Sequence, residues 1–60
     1  MDEELKMKKE QLKIILADAR KAQKGSYNVY NYYSGRIFDI GLPPAEGDKA
    51  FRQLANILRV

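Results

Sequence analysis

Apolar residues in the first third of the chain recur at helical spacing. At 100° per residue, Leu5, Leu12, Ile15, Leu16, Ala19 and Ala22 fall within one arc of about 120°. This spacing predicts a helix over residues 3–24. Asp2 is an acceptable N-cap, Glu3 and Glu4 suit the positive end of the helix dipole, and Lys21, Lys24 and Gly25 suit the exit. Lys8 falls inside the apolar arc, so the first turns are expected to overhang the core or to let Lys8 snorkel.

From residue 27 to residue 42 the pattern changes to runs of aromatic and β-branched residues on either side of Ser34-Gly35. Such runs about a glycine-containing dipeptide predict a β-hairpin. A two-residue turn pairs Tyr33 with Arg36, Asn31 with Phe38, Val29 with Ile40 and Tyr27 with Leu42. One face then carries Tyr27, Val29, Phe38, Ile40 and Leu42 as core, and the other carries Tyr30, Tyr32, Ile37 and Asp39. A three-residue loop with a bulge at Gly35 instead brings Tyr30 opposite Phe38. Both registers remain open.

Pro43-Pro44 ends the second strand, because neither proline can donate to a ladder. A last helix follows, beginning near Pro44 or at Asp48 and taken as residues 48–59. Ala50, Phe51, Leu54, Ile57 and Leu58 lie on one side of it, with Lys49, Arg52, Gln53, Asn56 and Arg59 on the other. Phe51 and Leu54 are its expected core anchors. The expected fold is α+β: helix, hairpin, helix (αββα), with two antiparallel helices on a two-stranded sheet, as one small domain over 1–60.

Composition narrows the chemistry. The 60 residues include no Cys and no His. Disulfides are excluded, the usual zinc and iron–sulfur ligands are missing, and so are the commonest general base and the readiest nucleophile. The carboxylates Asp39, Glu46 and Asp48 are too few for a hard-cation cage, and capping and turn roles explain Asp48 and Glu46. The chain is expected to be non-enzymatic, with no cofactor, no metal and no small-molecule substrate. No apolar run is long enough to span a membrane, and the start is acidic, unlike a signal peptide. A cytoplasmic protein is expected.

Two surfaces stand out. Tyr30, Tyr32 and Ile37 on the outer hairpin face, with Met7 and Ile14 on an off-core stripe of the first helix, form a candidate protein-interaction surface. Its partner would be another protein or a second copy of the chain. Lys6, Lys9, Lys13, Arg20 and Lys24 gather in a stripe of about 60° on the first helix. With Arg36 they are candidate phosphate contacts, the hairpin aromatics supplying base stacking. The net charge of +3 is modest for that role, so nucleic acid is the alternative partner.

The order of Gly25, the Gly35-Arg36 turn, the strand 37–40 and the apolar face of Phe51, Leu54 and Leu58 resembles the small head–tail joining proteins of tailed phages, the lambda W type. That resemblance implies an assembly role, in which copies join the connector of a filled head, and a location in the virion. It implies no individual functional residue.

Overall fold

The computed structural model describes residues 3–60. It contains three α-helices: α1 (Glu3–Ala19), α2 (Tyr27–Ile40) and α3 (Pro44–Leu58). There is no strand among the described residues. The fold is a small all-α bundle, which corrects the expected α+β hairpin architecture.

The first helix is shorter than its periodicity suggested. It ends at Ala19, and residues 20–25 turn the chain toward α2. Lys24 Nζ folds back to donate to the carbonyls of Arg20 (2.7 Å) and Ala22 (3.0 Å), pairing two backbone oxygens of the link that follows α1. Gly25 takes a positive φ of 76°, and its N–H donates to the Leu58 carbonyl at 2.6 Å. The α1–α2 link is thereby tied to the end of α3. The proposed N-cap, Asp2, lies outside the described residues.

The largest correction is the segment read as a hairpin. Ser26 is an N-cap in extended conformation, its hydroxyl accepting from the Val29 N–H at 3.3 Å. At the other end Gly41 adopts the left-handed conformation (φ 77°) and donates to the Phe38 carbonyl. Between these caps the chain is helical through Ser34-Gly35, which forms no turn. Physical reasons favour this outcome. A lone two-stranded hairpin leaves both edges unpaired, whereas a helix satisfies its own backbone and buries one stripe. That stripe is Tyr30, Tyr33, Ile37 and Ile40, at successive spacings of three, four and three residues, with Val29 beside it.

The third helix opens at Pro44, the earlier of the two expected starts, with proline in the first turn where its missing N–H costs nothing. It also has a C-cap, which the sequence did not suggest. Arg59 takes a left-handed conformation (φ 58°), and Val60 N–H donates to the Ala55 carbonyl. Ile15, Leu16 and Ala19 of α1, Tyr33 and Ile37 of α2, and Ala50, Leu54 and Leu58 of α3 form the core. Leu54 is fully buried, but Phe51 packs only at the core's margin. Lys8 does snorkel: its Nζ donates to the Gly41 carbonyl at 3.1 Å and pairs with Glu4 at 3.3 Å. A cation there meets the negative end of α2.

Candidate interaction surfaces

Because 27–42 is helical, its side chains are distributed quite differently from the expected alternation. Ile37, assigned to the outer face, is 1% exposed and is core. Tyr30 is half-buried against the core, and only Tyr32 of the three remains clearly on the surface, at 59% exposure. Tyr27 and Phe38, assigned to the core face, are 73% and 76% exposed. Met7 and Ile14 are exposed, as the off-core stripe implied.

The two flanks of α2 differ in chemistry. One flank meets α1. There Tyr33 donates its hydroxyl to Asp18 Oδ2 at 2.9 Å, and the Arg36 guanidinium lies 5.9 Å from the Tyr32 ring centre. Tyr32 also meets Tyr33 edge-on at 5.0 Å. Ile14 of α1 lines a groove of about 320 Å³ with Gln11, Ile15, Arg36, Asp39 and Ile40. The hydrogen bond to Asp18, followed by burial and the Asp18 charge, raises the Tyr33 pKa above the ordinary tyrosine value. This flank is mixed: it carries the charges of Arg36 and Asp39 and the Tyr33–Asp18 hydrogen bond beside the exposed Ile14.

The other flank carries no charge at all. Tyr27 and Phe38 lie about 160–180° around the helix from Arg36. Tyr27, Asn31, Ser34 and Phe38 share an arc of about 60° there, at successive spacings of four, three and four residues. Arg36 and Asp39 are the only charged residues of α2, and neither belongs to it. Sequence reasoning missed Tyr27 and Phe38 as surface residues because it applied a period of two. Their eleven-residue separation, three full helical turns, was the available signal.

The basic stripe is assembled partly as expected. Lys9, Lys13 and Arg20 line one groove between α1 and α3, together with Glu46 and Gln53. Lys6 continues it toward the N-terminus by helical spacing. Helix α3 brings Lys49, Arg52 and Asn56 alongside. Within it Lys9 lies 3.8 Å from Glu46, and Arg52 pairs with Asp48 at 3.3 Å. Lys24 is instead engaged with the end of α1, and Arg36 sits on the far side, against Tyr32. The expected union of basic stripe and aromatic platform is therefore not formed.

Among the described residues no three His, Cys, Asp or Glu side chains come close enough to hold a metal ion, and no helix is long and apolar enough to cross a membrane. No protein-family model, curated protein or solved structure matches this chain. The Gly35-Arg36 turn and the strand 37–40, two carriers of the phage-protein resemblance, both lie within α2.

Proposed function

We propose that this is a non-enzymatic protein–protein interaction module of the cytoplasm whose contact surface is the uncharged flank of α2. The observation that carries the reading is the exposure of Phe38 and Tyr27 together on that one flank. Burying a phenylalanine side chain stabilises a fold by about 1.5–3 kcal/mol relative to leaving it exposed. A 60-residue chain has little apolar area to spare, and this one leaves three aromatic side chains exposed, Tyr27, Tyr32 and Phe38, two of them on this flank. Aromatic side chains with no charge between them are the composition of an interface centre rather than of a solvated face.

A photoreactive phenylalanine analogue at position 38 tests the reading in cells producing the protein. Discrete covalent adducts to a protein chain are expected from position 38. The same analogue at Gln23, an exposed polar position on the α1–α2 link, should give none. Equal yields at both positions would defeat the proposal.

A second reading rests on α3 adding Lys49 and Arg52 to the stripe of Lys6, Lys9, Lys13 and Arg20. Such a face contacts the phosphates of nucleic acid without base stacking, since the exposed aromatic residues lie on α2. Binding would then weaken steeply with salt and be lost on Lys9→Glu with Lys13→Glu. No gel shift at low salt would dismiss it.

A further inference from the structure

Positive charge is gathered on one face of the molecule, in two neighbouring rows. Lys9 stands beside Glu46, and the Gly25 N–H meets the Leu58 carbonyl, so α1 and α3 run side by side in the same direction. Lys6, Lys9, Lys13 and Arg20 form a row along α1 and its exit, and Lys49 and Arg52 a second row on α3. All six side chains are exposed. Against them stand Glu10 at the border of the α1 row, Glu46 between the rows and Asp48 beside Arg52. Six cations and three anions leave +3, which is the net charge of the whole chain. The rest of the molecule is neutral in sum.

What the face lacks selects its anionic partner. Among the described residues the exposed large apolar side chains are Met7, Ile14, Tyr27, Tyr32, Phe38 and Val60, and none of them lines either groove between α1 and α3. An acidic protein would require an apolar centre to the contact. A single strand would require aromatic rings among the cations, and a lipid surface would require apolar side chains to insert. The backbone of a duplex requires none of these. Its phosphates take Lys and Arg, with Asn and Gln adding hydrogen bonds. Gln53 and Asn56, both exposed, lie with Lys49 and Arg52 on α3 for that purpose.

Packed helices have axes about 8–10 Å apart, and long side chains extend outward from both rows. Rows so placed straddle the minor groove of B-form DNA, about 6 Å wide, with one row to each strand. The minor groove of A-form RNA is too wide for them. The α1 row is about 21 Å long at 1.5 Å per residue, the length of about six nucleotides of one strand. We infer that the α1–α3 face binds double-stranded DNA through phosphates on both sides of the minor groove, without reading bases. This rests on the nucleic-acid reading above and names the form of the nucleic acid. Glu46 is the only acid lining either groove, and it lies 3.8 Å from Lys9. Its charge opposes the phosphates and limits the affinity.

Fluorescence anisotropy with labelled probes tests this: short DNA duplexes of two unrelated sequences, one of their single strands, and an RNA duplex of the same length. Both DNA duplexes should bind equally, and roughly tenfold or more tighter than the single strand or the RNA. With four to six phosphate contacts, affinity for duplex DNA should fall at least about 100-fold between about 50 and 200 mM salt. Lys9→Gln with Lys13→Gln should weaken binding roughly tenfold or more and lower the salt slope by about 2. Glu46→Gln should act in the opposite direction, tightening binding and steepening the slope by about 1 as Lys9 is released. Lys21→Gln removes the same charge from an exposed position outside the face and should leave affinity within about twofold. Circular dichroism verifies that each variant is folded.

Single-stranded DNA or duplex RNA bound as tightly as duplex DNA would overturn the inference and leave the phosphate-binding reading standing. Labelled polyglutamate bound as tightly would overturn it in favour of an acidic protein partner. A loss for Lys21→Gln as large as that for the Lys9/Lys13 pair would show attraction by net charge alone, with no face involved. No binding of any nucleic acid at low salt would remove both the inference and the reading beneath it.

Discussion

Helices α2 and α3 are nearly equal in length, 14 and 15 residues, yet they are helical for different reasons. Nine of the fifteen residues of α3 are Ala, Glu, Lys, Arg, Gln or Leu, good helix formers that outweigh its interior Gly47, and it has proline in its first turn and one continuous apolar side. Local preference, pattern and tertiary role agree. Helix α2 contains four Tyr, two Ile, Val, Phe, two Asn and an interior Gly, residues that favour strands or turns. Its helicity comes from its ends and its neighbours: a serine cap, a left-handed glycine, and a stripe that fits against α1 and α3. Propensity is a weak prior where a whole stripe of side chains can be buried.

The sharpest way to test this contrast is to delete core volume from each helix. Ile37 and Leu54 are both fully buried. Each change to alanine should cost about 2–5 kcal/mol, a large share of what so small a domain has. Denaturant unfolding of the two variants should give comparable losses. A negligible cost for Ile37→Ala would mean that residues 27–40 do not dock as a helix.

The glycines separate helix from hairpin at smaller energies. Gly41→Ala forces a left-handed conformation on a residue with a Cβ and should destabilise by about 1–2 kcal/mol. Gly35→Ala should stabilise by about 0.5–1 kcal/mol, since Gly35 sits in mid-helix without positive φ or crowding. In a hairpin turn that second change would be harmful. Thermal midpoints distinguish the signs.

The smallest effect is confined to alkaline solution. Tyr33 has a raised pKa because its hydroxyl donates to Asp18, with burial and the nearby carboxylate adding to the shift. Its contribution to stability is complete below the unfolded value of about 10 and is lost as pH rises through the higher folded value. Tyr33→Phe should flatten the fall in thermal midpoint above about pH 10. An unchanged alkaline slope would show that the Asp18 contact does not couple to folding.

The contrast between α2 and α3 also marks how far the sequence could be read. The apolar arcs of α1 and α3, the exposure of Met7 and Ile14, and snorkelling as one of the two outcomes for Lys8 were legible, because local spacing dictates them; the end of α1 at Ala19, six residues before Gly25, and the capping of α2 by Gly41 were not. The hairpin was an error of period. Alternating apolar residues over a few positions fit a strand, and the same residues at three- and four-residue spacing fit a helix. Ile37 and Phe38 exchange inside for outside between the two.

The sequence by itself therefore determined the helical stripes of α1 and α3, the basic character of one α1 flank, and the lack of thiol and imidazole chemistry. Tertiary structure decided the state of residues 27–40 and, with it, which aromatic rings face solvent. The physical reason is cooperative. A helix there closes its own backbone hydrogen bonds and seats Tyr33 and Ile37 against Ile15, Leu16 and Leu54, a gain that no local preference of tyrosine or isoleucine encodes.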